Sequence, residues 1–299
     1  MWFRNLQLFR LLEPDALAVE AIEEQLARSP LQPCSSSLPS SLGWIPPCAD
    51  GALVHAVNRQ WLLALGIEQK LLPASVVKQH VKDRAQLIEE KEGRRVGRRE
   101  LRDLQEAVTQ ELLPRAFVRK RTTYCWIDPV HGWLVIDAAA PAKADEAIEL
   151  LHKSVDKLSI SPLKVMQSPS SAMTGWIADG AAPAGFSIDQ DMELRSAENA
   201  VVRYAKHPLD GEEIPGHIAA GKVVTRLGMT WGDKISFVLD DKLQLKRLGF
   251  LDILKESTDG QAENEEERFD LDFALMTGEL AHLLDDLTAA LGGEQPAAA

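Results

Sequence analysis

Between Val76 and Pro114 the chain has little choice but to fold back on itself as two helices. Val76, Val77, His80, Val81 and Ala85 recur at three- and four-residue spacing, with Leu87 and Ile88 closing the stripe, the signature of one helical face. Ser75 stands where an N-cap is expected. Residues 93–97, bounded by Gly93 and Gly97, interrupt the pattern. Leu101, Leu104, Val108 and Leu112 resume it, and Pro114 ends it, because the proline ring clashes with a continuing helix. The spacing predicts an antiparallel helical hairpin with arginines at its tip.

Charge marks the same stretch. Residues 76–121 hold 13 of the chain's 33 Lys and Arg against 8 acids, in a chain of net charge −12. The segment is therefore positive and everything else strongly negative, an asymmetry that speaks to partners rather than to fold. Two readings stay open. Glu89, Glu90, Glu92, Glu100, Asp103 and Glu106 can pair with many of the bases, giving a solvated, salt-bridged hairpin. Alternatively Lys78, Lys82, Arg84, Arg94, Arg95, Arg98, Arg99, Arg102, Arg115, Arg119 and Lys120 form an anion-binding surface. Outside the hairpin bases are few. Arg203, Lys206 and His207 end one expected strand, Lys222 and Arg226 lie four apart on another, hence on one face, and Lys246 and Arg247 lie on a third. They are either ordinary strand-surface charges or an extension of the same positive track.

The rest of the chain reads as α+β. Residues 2–12 suit a strand, 15–29 an amphipathic helix, 30–50 a Ser/Pro-rich loop, and 52–67 a strand pair broken at Asn58-Arg59-Gln60. Two strands, 122–128 and 132–137, meet at an Asp128-Pro129 turn, and 142–158 is a helix. After a Ser/Pro-rich joint come a short helix around Trp176, a strand at 199–205, a short helix at 212–220 and strands at 222–230, 234–239 and 243–250. Residues 252–272 read as an exposed acidic loop, with Thr277 capping a last helix over 278–291 and a frayed end from Gln295. This divides the chain into an N-terminal α+β domain (1–75 and 122–158), an inserted basic hairpin (76–121) and a C-terminal α+β domain (159–299).

No stretch reaches the roughly 18 apolar residues of a membrane span, and the N-terminus lacks the features of a signal peptide. Cys34, Cys48 and Cys125 form neither a zinc knuckle nor a CxxC pair, a sparse count that fits a reducing cytoplasm. A cytosolic protein without cofactor or metal is expected. Gly221-Lys222-Val223-Val224-Thr225 echoes a phosphate loop, but its leading glycine is missing and Thr does not follow Lys. Asp128 and Asp137, on neighbouring strands, could converge on Mg²⁺, but Asp128 precedes a proline and is expected to start a turn instead. No active site is legible, so a DNA-processing enzyme is the least supported reading. A protein-interaction module gripping an acidic partner with its basic hairpin is the second.

A family resemblance favours a first reading. The opening Trp2-Phe3-Arg4-Asn5-Leu6-Gln7-Leu8, then Gly43-Trp44-Ile45-Pro46-Pro47, Leu112-Leu113-Pro114-Arg115-Ala116-Phe117, Trp126-Ile127-Asp128, Leu245-Lys246-Arg247-Leu248 and Leu275-Met276-Thr277-Gly278-Glu279-Leu280 occur in order over nearly the whole chain. Together they resemble the RdgC family of recombination-associated proteins. The resemblance implies a homodimer closed into a ring around duplex DNA, bound with little sequence preference, located on the nucleoid, and restraining RecA by occupying DNA. Single-stranded DNA stays open as a second ligand, and no membrane is involved. It implies a dimer contact at the hairpin end, where Phe117 matches the family's phenylalanine. Lys206 and His207 match a second contact less well, since His207 departs from the family pattern. A closed twofold ring needs two self-complementary interfaces; beside the one at the hairpin, the other is expected at the apolar last helix, through Leu284 and Leu287, or at an exposed strand edge.

Overall fold

Strands β4 (Gln60–Leu71) and β5 (Phe117–Asp128) form the longest ladder of the molecule, running antiparallel from Trp61 opposite Ile127 to Leu71 opposite Phe117. The structure, a computed structural model, describes residues 1–252, 254 and 262–295. At one end of that ladder the chain leaves as α2 (Ala74–Glu92), turns, and returns as α3 (Arg98–Leu112) and a 3₁₀ turn, Leu113–Arg115. The two helices pack on each other. Gly93 adopts φ 67° as the left-handed end of α2, a conformation a residue without Cβ takes at no cost.

The other strands are β1 (Leu6–Leu11), β2 (Ser40–Ile45), β3 (Val54–Val57), β6 (Trp133–Asp137), β7 (Ile160–Pro162), β8 (Phe186–Arg195), β9 (Val201–Tyr204), β10 (Val223–Trp231), β11 (Ile235–Asp240) and β12 (Leu245–Phe250). The remaining helices are α1 (Val19–Leu26), α4 (Pro141–Ser154), α5 (Pro169–Asp179), α6 (Glu213–Ala219) and α7 (Glu265–Ala290). Among the described residues all twelve strands join one antiparallel sheet in the order β2-β4-β5-β6-β1-β12-β11-β10-β8-β9, with β3 on β4 and β7 on β1. The class is α+β, as the sequence pattern indicated.

Burial follows from that sheet. In β4 to β6 the runs Trp61-Leu62-Leu63-Ala64-Leu65, Cys125-Trp126-Ile127 and Trp133-Leu134-Val135-Ile136 are nearly continuous and almost wholly buried, the pattern of strands covered on both faces. Side chains alternate between faces. Leu63, Leu65, Cys125, Ile127, Leu134 and Ile136 pack with α1 and α4. Leu62, Trp126, Trp133 and Val135 join the larger core, built with α5, α7 and strands β8 to β12.

Several local expectations need correction. Residues 30–50 are not all loop: β2 lies within them, its alternation hidden by Ser40, Ser41 and Gly43. β8 falls in a stretch whose acids, Asp189, Asp191 and Glu193, mask the inward Phe186, Met192 and Leu194, and β7 sits in the Ser/Pro-rich joint. β5 begins at Phe117, five residues earlier than expected. Ser75 is inside α2, whose N-cap position is Pro73. In the predicted apolar stripe of α2 only Val77 is buried; Val76 and Leu87 are exposed, because two helices alone offer no second layer to cover them.

The acidic loop is corrected most. Its last residues form the start of α7, where the Asn264 side chain accepts the Glu267 N–H at 2.8 Å and Glu265, Glu266 and Glu267 occupy the first turn. There they meet the positive end of the helix dipole. Thr277 is no cap: it is buried mid-helix and its hydroxyl donates to the Phe273 carbonyl at 2.8 Å. Residues 253 and 255–261 of that expected loop lie outside the described residues, as do 296–299 of the expected frayed end, whereas Gln295 donates its N–H to Lys164 O at 2.9 Å. Leu284 and Leu287 are each 1% exposed within the chain's own core, so burial removes them from any surface a second copy could touch. Asn264→Ala should cost about 0.5–2 kcal/mol of stability, the usual value of a lost N-cap, read as a lowered midpoint in urea unfolding followed by circular dichroism.

Candidate nucleic-acid interface

The basic residues fall into two groups, one on the helical pair and one on the far strands. On α2, Lys78 and Lys82 are exposed one turn apart. Arg84 is committed to Glu111 at 2.5 Å. Arg94 bridges Glu92 at 2.6 Å and Glu100 at 2.8 Å, tying the interhelical turn together, while the Val96 N–H donates to Glu89. Arg95, Arg98, Arg99 and Arg102 are exposed and make no ion pair or hydrogen bond among the described residues. Helical spacing sets Arg98 and Arg102 one turn apart on α3. The solvated-hairpin reading thus holds for Arg84 and Arg94, whose acids sit directly opposite, and not for these four.

At the base of the pair, Arg115 is exposed in the 3₁₀ turn. Along β5, Arg119 donates to Gln69 at 3.0 Å and Lys120 pairs with Glu68 at 3.1 Å, both across the β4 ladder. Beside them Phe117 is 85% exposed, with Leu71 and Val118 also open to solvent. A phenylalanine left this bare next to two aliphatic neighbours makes a small apolar patch at the root of the helices.

The second group surrounds a cleft lined by Arg203, Tyr204, Arg226, Lys246 and Arg247. At its floor Glu193 is buried and accepts from Arg203 Nε at 2.8 Å, Arg195 Nη2 at 3.1 Å and Thr225 Oγ1 at 3.1 Å, with Arg226 at 3.6 Å. Burial alone would raise its pKa; the hydrogen bonds from Arg203, Arg195 and Thr225 and the Arg226 charge outweigh it and hold the carboxyl below the usual glutamate value. Lys246 pairs with buried Asp240 at 2.8 Å.

Two bulges decide which bases reach this cleft. The expectation that Lys222 and Arg226 share a strand face fails, because the pairing of β10 with β8 skips at Thr225 and Lys222 lies before the strand. A bulge adds one residue and breaks the period of two. Arg226 faces Glu193, whereas Lys222 Nζ stands 3.5 Å from His217 Nδ1. The β11–β12 pairing also skips, and Arg247 sits there at φ 54°, so Lys246 and Arg247 both line the cleft instead of facing opposite ways. Lys206, also at positive φ, and His207 are exposed just past β9, the His207 ring 5.5 Å from Tyr204. Arg195 and Glu193 went unsuspected because β8 itself was missed; its alternating Phe186, Met192 and Leu194 were the available signal.

β5 and β10 are five strand steps apart in the sheet, about 24 Å at the usual spacing of about 4.8 Å. Lys246 and Arg247, on β12, are three steps from β5. The carboxylates considered for metal-assisted chemistry do not meet. Asp128 and Asp137 sit at opposite ends of the β5–β6 hairpin region, Asp128 pairing with Trp133 and Asp137 with Leu6. Fully buried Asp128 accepts from Val130 N at 2.8 Å, His131 N at 3.1 Å and His131 Nδ1 at 2.6 Å. Asp137 accepts from Arg4 N and Asn5 N, and burial pushes its pKa up despite them. Among the described residues no helix is long and apolar enough to cross a membrane.

A family model described as "Putative exonuclease, RdgC" matches residues 1–294. The chain is 52% identical to the recombination-associated protein RdgC of Dechloromonas aromatica, covering 98% of both chains. It is 54% identical to the protein of that name from Herminiimonas arsenicoxydans over 99% of each, and 52% identical to that of Burkholderia cenocepacia over the whole of both.

Glu193→Gln should lower stability by about 1.5–3 kcal/mol near neutral pH, the range for hydrogen bonds to a charged group. Because the folded carboxyl titrates below the unfolded one, its stabilisation is present above the unfolded value and disappears as pH falls through the folded value. The stability gap between wild type and variant should accordingly narrow on acidification below about pH 4, measured by urea unfolding across pH.

Proposed function

The chain belongs to the RdgC family, and from that premise we propose that it is a DNA-binding protein, not an enzyme, that acts in recombination by occupying duplex DNA without reading its sequence. The observation that carries this reading is the set of exposed guanidinium groups on the helical pair, Arg95, Arg98, Arg99 and Arg102, with no ion pair among the described residues, in a chain of net charge −12. An acidic protein is repelled by phosphate everywhere except at such a surface, so the field itself orients approach. Arginine and lysine contacts to phosphate release counterions and position a protein without specifying bases.

In the fuller form of the proposal the protein is a homodimeric ring around DNA, associated with the nucleoid, that limits access of RecA. Lys78, Lys82, Arg115 and Arg119 extend the phosphate-contacting surface, and Lys206, Arg226, Lys246 and Arg247 supply a second one. Support for self-association comes from Phe117. At 85% exposure it costs the monomer hydrophobic free energy that a contact with a second copy would recover. The thin packing of α2 on α3 points the same way, since a two-helix unit with exposed Val76 and Leu87 gains by being covered.

Random-sequence duplex DNA titrated across a salt series tests the first part. Tight binding with a steep inverse dependence on salt is expected. The Arg95/Arg98/Arg99/Arg102→Ala variant should flatten the log–log slope by about 0.9 for each phosphate it no longer neutralises, and DNA incubated with Mg²⁺ should stay intact. No binding at low salt would overturn the reading in favour of an acidic protein partner; Mg²⁺-dependent shortening of DNA ends would show an exonuclease. Phe117→Ala should shift the protein toward monomer in sedimentation velocity, and a variant that remains fully dimeric would remove Phe117 from the interface.

A further inference from the structure

One cluster of side chains plays no part in the basic surfaces. Cys48 and Asp50 lie in the loop between β2 and β3, and His55 is the second residue of β3. Cys48 Sγ stands 3.3 Å from His55 Nδ1, and Asp50 Oδ2 stands 3.6 Å from the same nitrogen. One ligand atom from each of the three lies within 4.8 Å of the others. Bonds of about 2.0–2.3 Å to a tetrahedral ion place ligand atoms about 3.3–3.8 Å apart, so the two separations from His55 Nδ1 already approximate those of a bound site.

Two further features belong to metal centres. The other oxygen of Asp50, Oδ1, accepts the Ala52 N–H at 3.0 Å, which turns Oδ2 toward the imidazole. On the far side of the ring, His55 Nε2 lies 3.0 Å from Asp270 Oδ1 on α7, in ion-pair range but without hydrogen-bond alignment, so both buried atoms lack a hydrogen-bond partner among the described residues. A carboxylate behind the distal nitrogen is the arrangement that fixes the tautomer of a metal-binding histidine. The His55 side chain is 9% exposed, its ring packed against Phe269 and Phe273 at 5.1 and 5.9 Å. Cys48 is half-buried and Asp50 exposed, leaving an approach from solvent.

We infer that Cys48, Asp50 and His55 form a binding site for a zinc-class divalent ion, with Asp270 as the residue that positions His55. A mixed sulfur, nitrogen and oxygen set selects a borderline-soft ion over Mg²⁺ or Ca²⁺, which take oxygen ligands. Three protein ligands leave the fourth position to water or an exogenous group. The ion would clip the β2–β3 loop to β3 and, through Asp270, to α7. This inference is independent of DNA binding.

The test uses the full chain, stripped by dialysis against a chelator and titrated with Co²⁺. One ion per chain is expected, with a thiolate-to-cobalt charge-transfer band that Zn²⁺ abolishes. Cys48→Ser should lose the band and Cys34→Ser keep it; Asp270→Asn should keep the band but weaken affinity about 10–100-fold. Zn²⁺ should also protect Cys48, and not Cys34, from alkylation in the wild-type protein, mapped by mass spectrometry, a readout that needs no variant to fold. Absence of stoichiometric uptake, a band that survives Cys48→Ser, or Cys48 alkylated equally with and without Zn²⁺ would overturn the assignment.

Discussion

Everything in this molecule hangs on β1 being paired on both of its edges. Leu6 lies opposite Asp137 of β6 on one side and Leu245 of β12 on the other. That pairing fuses what would be two sheets into one, and it is short. Side chains therefore reinforce it: Gln7 donates to the Ala138 carbonyl at 3.0 Å and accepts from Gln244 Nε2 at 2.9 Å, while Asp240 accepts the Gln244 and Lys242 N–H groups. Gln7, Asp240 and Gln244 are buried, and a buried polar group left unpaired costs about 1–3 kcal/mol. Any slip in register would orphan several at once, so the network enforces one alignment of the two halves.

That alignment sets where positive charge can appear. The β4–β5 ribbon is anchored by its buried half and sends its polar half outward to carry α2 and α3. The second basic group sits at the other end of the sheet, where Glu193 gathers Arg195, Arg203 and Arg226. One carboxylate there holds guanidinium groups that would otherwise repel one another, so the cleft can be both rigid and positive. Further acids gather at the start of α7, where Glu265, Glu266 and Glu267 fill the first turn.

The α2–α3 pair was legible because its signal is local: 3.6-residue periodicity, a glycine-bounded turn and a terminating proline act over a few residues each. The buried strands β4 to β6 were legible as continuous apolar runs. By contrast β2, β7 and β8 carry serine, proline or acidic residues whose local preferences point to loops, and only partner strands make them strands. The Thr277-Gly278 pair resembles a helix start, yet burial against the core carries α7 straight through it. Long-range packing there outweighs a cap worth about 1 kcal/mol.

Sequence by itself determined the α+β class, the helical pair, the concentration of charge on it and membership in a family, because each depends on residue type and short-range order. Only the tertiary structure decided which bases are free and which are spent on acids. It also decided that bulges at Thr225 and Arg247 bring Arg226, Lys246 and Arg247 to one cleft, that Leu284 and Leu287 face inward, and that Cys48, Asp50 and His55 converge. Most of those facts depend on register and on contacts between segments remote in the chain, such as Asp270 behind His55; Cys48, Asp50 and His55 are close in sequence, but the fold of the β2–β3 loop is what turns their side chains together.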